Sequence, residues 1–496
     1  MSAWLTGRDG DKTVGLRFGD RLLFIGGEFV PASDGQWLES VNPATEDVHG
    51  RVPVASAVDV DRAVGAAETA QADWAARSVW ERRDSLRRLA EAIRARSADI
   101  VPLEAADTGN TISSLGRDVA VAGNYIDFFS GLGMEMKGDS VPATPDGIHF
   151  SLRQPYGVVA RIVPFNHPFL FAAAHLAAPL MAGNAVIVKT PETSPLSAGI
   201  LAEVCREVLP PGLVNILHGP GLPSGDALVR HPRVWRIGFT GSVQTGLAIQ
   251  RAAAEVAVKH LSLELGGKNP MIVCPDADPA QVAQAAVRGM NFAWAGQSCG
   301  SNSRLLLHES LYDEVVDRIV AAVAAIRVGD PLDPAAQMGP VNSAGHYRRV
   351  LAYIESAKTE GAKLLTGGVR PQGEAFRRGY WIRPTVYANV TPAMRIAREE
   401  VFGPVLSIMR WRTPGEALEI ANSSEYGLAA GVWTQDLKTA MDMARQLQSG
   451  FVWINTTARH FVGTPFGGWK NSGLGQEECL AELLSYTRNK AIHVFA

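Results

Sequence analysis

Cysteine is scarce in this sequence, and its spacing excludes two common structural uses of this residue. The 496 residues contain four cysteines, Cys205, Cys274, Cys299 and Cys479, with no C-x-x-C pair and no histidine cluster at zinc spacing. We therefore expect no disulfide framework, no zinc site and no other bound metal. This pattern is typical of a reduced cytoplasmic protein, in which a single thiol can still serve chemistry.

The sequence also lacks long apolar runs and an excess of charge of either sign. No stretch approaches the ~20 uninterrupted apolar residues of a membrane span, and Met1 to Asp20 has no apolar run suited to a signal peptide. The 47 basic residues nearly balance the 50 acidic ones, which gives no reason to expect nucleic acid or an anionic membrane as a partner. We expect a globular, cytoplasmic protein.

From about Pro155 onward, short apolar runs alternate with amphipathic stretches. This alternation predicts strands joined by helical crossovers, and hence a doubly wound parallel sheet of the nucleotide-binding type. The predicted strands are 157–163, 185–189, 214–217 and 236–239, and the predicted helices are 168–181, 197–209, 224–230 and 242–254.

The rest of the chain predicts further α/β structure. Two amphipathic helices are predicted before the sheet, and a second alternating block follows Pro275. The final residues predict an edge strand, and the length predicts roughly two to three domains. The additional predicted elements are helices 58–76, 81–98, 280–294 and 311–326 and strand 491–495.

Cys299 is the first candidate for chemistry. It lies among small residues in the segment Gly296-Gln-Ser-Cys299-Gly300, where an open backbone leaves room for a substrate. Most lone cysteines are buried structural residues. The neighbouring glycines argue against a packed core here and favour a reactive thiol.

Glu264 and Asn166 are two further candidates, each with a structural alternative. Glu264 ends an apolar run before a Gly-Gly turn, so it either pairs with a cation or acts as a base whose pKa is raised by burial. Asn166 joins a predicted strand to a helix that opens with Pro168. Its amide either caps that helix or donates to a developing oxyanion.

A glycine-containing turn follows the predicted strand 236–239. The segment Thr240-Gly241-Ser242-Val-Gln-Thr-Gly246 offers backbone N–H groups and a helix N-terminus to a pyrophosphate. It differs from the usual G-x-G-x-x-G fingerprint, so an ordinary capped turn is the alternative.

From about Leu23 to its end, the chain resembles the aldehyde dehydrogenase superfamily, because it contains seven motifs in the order typical of that family. The motifs are Pro164-Phe-Asn166, Lys189-Thr-Pro-Glu192, Phe239-Thr-Gly-Ser242, Glu264-Leu-Gly-Gly-Lys268, Gly296-Gln-Ser-Cys299, Glu400-Val-Phe-Gly-Pro404 and Pro465-Phe-Gly-Gly-Trp-Lys470-Asn-Ser-Gly473. The resemblance implies an NAD-dependent enzyme that oxidises an aldehyde to a carboxylic acid through a cysteine thioester.

The resemblance also implies roles for individual residues. Cys299 would be the nucleophile, Asn166 an oxyanion donor, Glu264 the general base for deacylation and Glu477 part of a proton relay. The cofactor-binding residues it implies are Lys189, Glu192, Thr240, Gly241, Ser242, Gly246, Glu400 and Phe402. Glu192 on the adenosine ribose would repel a 2′-phosphate, which favours NAD over NADP.

The substrate mouth departs from the apolar residues common in this family. His167, Arg459 and His460 lie there beside the apolar Phe171 and Phe466. One interpretation is that the basic group attracts a polar or anionic aldehyde, and the alternative is that Arg459 and His460 form a solvated loop.

Two other functions remain open at this point. A CoA-acylating semialdehyde dehydrogenase would use the same nucleophile but would pass the acyl group to a thiol, and the presence of Glu264 argues against it. An inactive relative acting as a binding protein should lack Cys299, Asn166 or Glu264, and all three are present.

The resemblance implies three regions and a homo-oligomer. A doubly wound cofactor domain would comprise residues 1–130 and 155–265, and a second α/β catalytic domain residues 266–475. A small β bridging element would combine residues 131–154 and 476–496. Because a protruding strand pair has unsatisfied edges, a homodimer or homotetramer is expected.

Overall fold

Two large sheets, each with its own hydrophobic core, organise the chain in the computed structural model, which describes residues 18–495. The alternation of strands and helices predicted from the sequence is confirmed, and so is the mixed α/β class with parallel sheets. In the part of the chain that is described, no helix combines the length and apolar character needed to cross a bilayer.

The first sheet has five parallel strands at its centre. Every residue of strands Val158–Ile162 and Ala185–Lys189 is buried, as expected when helices cover both faces of a parallel sheet. Antiparallel strands complete both edges. In spatial order the strands are Glu28–Val30, Leu23–Ile25, Val214–Leu217, Ala185–Lys189, Val158–Ile162, Val234–Thr240, His260–Glu264 and Gly473–Leu474.

The second sheet is parallel apart from one antiparallel edge strand. Its core is separate from that of the first sheet. In spatial order its strands are Lys363–Thr366, Thr385–Ala388, Val405–Trp411, Arg304–His308, Pro270–Val273, Ala429–Trp433 and Phe451–Ile454.

A third, antiparallel sheet joins distant parts of the chain. Strand Gly147–Pro155 pairs with Ser140–Val141 on one side and with Thr487–Phe495 on the other. The predicted edge strand at the carboxyl end is therefore confirmed, and it begins at Thr487. Two small pairs complete the strands: Trp37–Val41 with Val48–Pro53, and Tyr426–Gly427 with Trp469–Lys470.

Helices connect the strands and pack on the sheets. Their bounds are Ala57–Ala76, Val79–Ala95, Ser97–Thr108, Ile112–Gly131, Pro168–Ala174, Ala177–Met181, Ser197–Val208, Asp226–Arg230, Val243–Ala254, Pro279–Gly289, Tyr312–Ala324, Ala344–Thr359, Arg395–Arg398, Pro414–Asn422, Leu437–Gln446 and Leu480–Ser485.

Two predicted helices differ from the sequence pattern, one because it is divided and one because it ends early. The helix predicted over 168–181 is divided into Pro168–Ala174 and Ala177–Met181, because Pro179 has no N–H to donate to the carbonyl four residues earlier. The helix predicted over 280–294 ends at Gly289. There Asn291 adopts a left-handed backbone with φ of 56°, and a short 3₁₀ turn, Phe292–Trp294, follows.

One strand pairing joins two of the predicted regions. Gly473–Leu474, expected in the second α/β region, pairs antiparallel with His260–Glu264 of the first sheet. The carboxyl-terminal part of the chain therefore reaches the strand that ends at Glu264.

Candidate active site

A cavity of about 810 Å³ lies where loops of the first and second sheets meet. Asn166, Glu264 and Cys299, the three residues on which the sequence prediction depends, all line it. Aromatic side chains form much of its wall, namely Tyr125, Phe171, Phe292, Trp294, Trp453 and Phe466. We refer to it below as the active-site cavity.

Cys299 lies in the loop that follows the 3₁₀ turn Phe292–Trp294. The left-handed residues Ala295 and Gly296 reverse the chain before it, and a Cβ on Gly296 would lie 2.2 Å from the carbonyl oxygen of Gly403. Glycine is thus required at 296. The carbonyl of Cys299 accepts a hydrogen bond of 2.7 Å from the Asn269 amide, and its side chain is partly exposed to the cavity.

Glu264 is the last residue of strand His260–Glu264 and is 4% exposed. Burial raises its pKa well above the usual value, and the negative charge of Glu477 adds to this, while a hydrogen bond with Cys299 acts in the opposite direction. The Cys299 thiol pKa is likewise raised well above normal by burial and then by Glu264. Both groups line the same cavity, and within residues 18–495 Glu264 forms no ion pair with a cation, so the cation-paired alternative is not supported.

Asn166 follows strand Val158–Ile162 in the loop that leads to helix Pro168–Ala174. The residue at the N-cap of that helix is His167, with no side-chain capping bond, so the helix-cap alternative for Asn166 is excluded. The Asn166 amide donates to the carbonyl of Gln297, two residues before Cys299, at 3.0 Å. Its second amide hydrogen is available to an oxygen bound beside Cys299.

Glu477 lines the cavity but belongs to a buried charge cluster. It accepts a hydrogen bond of 3.0 Å from Arg161 and lies 3.6 Å from His175, whose other nitrogen lies 3.6 Å from Glu482. Burial opposes ionisation of Glu477, but His175 and Arg161 outweigh it and lower its pKa. His175, Glu477 and Glu482 converge within 4.8 Å, a grouping that sequence spacing did not reveal.

The predicted substrate residues divide into two groups. His167, Phe171, His460 and Phe466 line the cavity. Arg459 is exposed and does not line the cavity itself, although Ala458 and His460 on either side of it do, so its place at the substrate mouth stays a prediction. Its carbonyl accepts a hydrogen bond from the Trp453 indole at 2.8 Å, and this bond fixes the loop with the Arg459 side chain in solvent.

The predicted cofactor residues gather at the carboxyl edge of the first sheet. Lys189 and Thr240 are the last residues of two parallel strands, the edge at which doubly wound sheets bind ligands. Ser242 is the N-cap of helix Val243–Ala254 and accepts from the backbone of Thr245. Gly246 lies in the next turn, packed so closely on Leu265 that a Cβ would come within 2.9 Å.

The remaining predicted cofactor residues lie nearby. Burial lowers the pKa of Lys189 to about 8, with Glu192 acting against this, and Glu192 itself is exposed. Glu400 accepts a hydrogen bond of 2.9 Å from the Gly267 backbone, and burial raises its pKa to about 7. Phe402, with a left-handed φ of 54°, packs against Phe165 with ring centroids 5.7 Å apart.

These residues suit a dinucleotide. The Thr240 hydroxyl is buried without a hydrogen-bond partner among the described residues. The capped helix N-terminus beside it presents backbone N–H groups and a positive dipole end, which together favour a pyrophosphate. A lysine and a carboxylate at the same edge, Lys189 and Glu192, can bond to ribose hydroxyls.

Sequence reasoning missed the partners that hold the predicted residues. Asp118 pairs with His167 at 2.7 Å, and Glu478 pairs with His460 at 2.7 Å. Glu478 follows Glu477 in the sequence, but Asp118 lies on helix Ile112–Gly131, 49 positions from His167. A lone acidic residue on a helix gives no local signal of such a pairing, since only the packing of distant elements creates it.

Comparison with known proteins identifies the relatives of this site. The profile described as "Aldehyde dehydrogenase family" matches residues 29–492. The aldehyde dehydrogenase tropH of Talaromyces stipitatus is 44% identical over 480 residues, covering 95% of this chain and 93% of that protein. The crystal structure of PnpE from Pseudomonas sp. WBC-3 has a TM-score of 0.93 and 38% identity over 96% of this chain and 98% of its own.

A third relative was solved with a cofactor. The betaine aldehyde dehydrogenase of Staphylococcus aureus, in complex with NAD⁺, superimposes with a TM-score of 0.93 at 34% identity. The match covers 96% of this chain and 95% of that structure. Fold and sequence thus agree over nearly the whole chain.

Proposed function

This chain belongs to the aldehyde dehydrogenase family, and from that premise we propose how its residues carry out the reaction. The family reaction is the oxidation of an aldehyde to a carboxylic acid, and NAD is the cofactor. The convergence of Asn166, Glu264 and Cys299 on one cavity is the observation that carries the proposal.

The first step is attack by Cys299. The thiol gives its proton to solvent, its sulfur bonds to the aldehyde carbon, and the carbonyl π electrons move to oxygen, giving a thiohemiacetal oxyanion. The Asn166 amide and the backbone N–H of Cys299 donate to this oxygen. Loss of one such donor typically costs on the order of 10²–10³ in rate, so we expect Asn166→Ala to slow turnover by about this factor.

The second step converts the adduct into a thioester. When bound, NAD supplies the acceptor for the hydride that leaves the carbon. Residues of the chain would hold the dinucleotide in place. Lys189 and Glu192 would bond to the adenosine ribose. The pyrophosphate would contact Thr240, Gly241 and Ser242, with Gly246 behind them. Glu400 binds the nicotinamide ribose, with Phe402 packed beside it. Glu192 favours NAD over NADP because its carboxylate repels a 2′-phosphate.

The third step is hydrolysis. Glu264 takes a proton from water, the hydroxide adds to the thioester carbon, and the C–S bond breaks so that the carboxylic acid is released and the sulfur leaves as the thiolate. The raised pKa of Glu264 suits this role, because an effective base has a pKa near the working pH. Glu477, buried beside the cavity, passes the proton onward.

The test is NADH formation across a panel of aldehydes. Wild type should reduce NAD with at least one aldehyde and release the acid without added CoA. Cys299→Ala should lose this activity and still bind NAD, as measured by quenching of tryptophan fluorescence. Turnover by Cys299→Ala, or a strict requirement for CoA, would contradict the proposal. The second outcome would favour a CoA-acylating enzyme.

The arrangement of the chain supports a three-region organisation and a homo-oligomer. We assign residues 1–130 and 155–265 to a cofactor domain, 266–475 to a catalytic domain and 131–154 and 476–496 to the bridging element, and the separate cores of the two large sheets support this division. Strand Ser140–Val141 leaves one edge open, and Val141, Ile148 and Phe495 are exposed on that sheet. Such edges favour pairing with a second copy, so we infer a homodimer or homotetramer, which light scattering would detect.

A further inference from the structure

His167 and Asp118 form a hydrogen-bonded pair inside the active-site cavity. The Nδ1 atom of His167 lies 2.7 Å from Oδ2 of Asp118, and both residues line the cavity. Asp118 is 5% exposed. A carboxylate can only accept, so Nδ1 carries the hydrogen and donates it.

The other ring nitrogen of His167 has no protein partner within residues 18–495. Every hydrogen bond and ion pair of this side chain runs through Nδ1. With the hydrogen placed on Nδ1 by Asp118, the neutral ring presents the lone pair of Nε2 as an acceptor. The imidazole is thus prepared to receive a hydrogen bond, and Asp118 stabilises the positive charge that such a bond draws onto the ring.

Aromatic side chains hold this ring in one orientation. The centroid of Trp294 lies 5.2 Å from that of His167, and Phe171 meets its edge at 6.0 Å. His167 directly follows Asn166, the proposed oxyanion donor. Asn166, His167 and these two rings all line the active-site cavity, so a substrate whose carbonyl oxygen is bound by Asn166 shares that cavity with the imidazole.

We propose that the His167–Asp118 pair recognises a hydroxyl group on an aromatic aldehyde, which rests on the proposed function. The aromatic wall and the volume of about 810 Å³ accommodate a ring-bearing substrate. The hydroxyl donates to Nε2 of His167, which is a specificity-determining residue, and Asp118 is a positioning residue that acts through it. No bond of the oxidation itself involves either side chain.

The experiment compares kcat/KM for the three hydroxybenzaldehyde isomers with that for benzaldehyde, using NAD and the full chain. 4-Methylbenzaldehyde serves as a steric control because a methyl group is close in size to a hydroxyl. We expect wild type to prefer at least one hydroxybenzaldehyde over both controls by about 10- to 100-fold, as a hydrogen bond to a charge-supported group allows.

Three substitutions test the pair itself. In His167→Phe, which keeps an aromatic ring, the preference should fall at least tenfold, mainly through the KM of the hydroxylated substrate. Asp118→Ala should lower the preference similarly, and Asp118→Asn should restore part of it because its amide oxygen still accepts from Nδ1. The matched control is His231→Phe. His231 pairs with Asp61 at a distance of 3.2 Å, and neither residue lines the cavity. This variant should keep the wild-type preference.

Several results would overturn the inference. They are oxidation of benzaldehyde with no preference for any hydroxylated isomer, a preference that survives His167→Phe, and an equal loss on all substrates in Asp118→Ala without rescue by Asp118→Asn. A stronger preference for carboxybenzaldehydes that persists in His167→Phe would overturn it too. If wild type oxidises no aldehyde with NAD, the proposed function fails as well.

Discussion

At the residue scale, Glu264 has two opposing effects on Cys299. As a base it accelerates hydrolysis of the thioester. As a neighbouring carboxyl it raises the pKa of the Cys299 thiol, and its effect on that pKa is second only to that of burial. The residue that completes the reaction therefore hinders its first step in the absence of substrate. Close contact between two acidic groups has this consequence in a buried site, because each disfavours the negative charge of the other.

Replacement of Glu264 should separate the two effects. In Glu264→Gln, the thiol pKa should fall, because the neighbouring negative charge is removed, and alkylation of Cys299 by iodoacetamide at pH 7 should become severalfold faster. Aldehyde turnover should slow by about 10²-fold or more as the base is lost. Alkylation rates from pH 6 to 10 and steady-state NADH formation measure both. Slower alkylation in the variant would show that Glu264 activates the thiol in the free enzyme.

At the element scale, the placement of Glu264 depends on a strand from the other end of the chain. Gly473 pairs with Glu264, and Leu265 donates to the carbonyl of Ser472 at 2.9 Å. The Ser472 hydroxyl donates to the carbonyl of Gly266 at 2.6 Å. A Cβ on Gly473 would lie 2.4 Å from the carbonyl oxygen of Leu263, so glycine allows this close approach.

Gly473→Ala should therefore lower activity more than stability. The added methyl group must displace one of the two strands, and a shift of the base by even 1 Å can cost about 10²-fold in rate, so we expect kcat to fall by tenfold or more with NAD binding retained. Gly415→Ala is the matched control, since a Cβ there meets no atom within 4 Å. Equal kcat values for the two variants would refute this role of the strand.

The same elements show how far the sequence predicts the structure. The strands predicted over 185–189 and 214–217 have those same bounds in the structure. A short, continuous apolar run in a doubly wound fold is buried on both faces of the sheet, and this makes its strand easy to predict. The break at His175 and the end of the helix at Gly289 depend on a proline and on the left-handed Asn291, which periodicity does not report. Pairing of Gly473 with Glu264 is a long-range contact without local signal.

In the candidate site, too, some residues could be predicted from the sequence and others could not. Cys299, Glu264 and Asn166 were identified from motifs, and they meet in one cavity. The role of Arg459 stays a prediction, since the structure holds its backbone carbonyl in the loop and leaves its side chain exposed. Asp118, the partner of His167, could not be inferred, because nothing in its own helix distinguishes it from a solvated acidic residue.

At the scale of the whole molecule, buried histidines make folding sensitive to acid. His218 is fully buried, lies 2.9 Å from the Thr190 hydroxyl, and has a pKa lowered by burial to about 4. In the unfolded chain its pKa is about 6.5. The unfolded state therefore binds more protons between these values, and stability falls as the pH decreases through that window.

Acidification from pH 7 to pH 5 should cost about 2 kcal/mol through His218 alone. His218→Asn removes the titrating group but keeps a hydrogen-bonding side chain. The thermal midpoint of this variant should accordingly shift less between pH 7 and pH 5 than that of wild type, as measured by circular dichroism. Identical shifts in the two proteins would contradict the assignment of acid sensitivity to His218.

The most direct test of the account is to trap the acyl group on the enzyme. Glu264→Gln, mixed with NAD and an aldehyde substrate and quenched in acid, should show a burst of one NADH per active site. Mass spectrometry should find the acyl group on Cys299, held as a thioester because hydrolysis lacks its base. Steady turnover without a burst, or acylation of any other residue, would contradict the claim that Cys299, Asn166 and Glu264 act together on one carbonyl carbon.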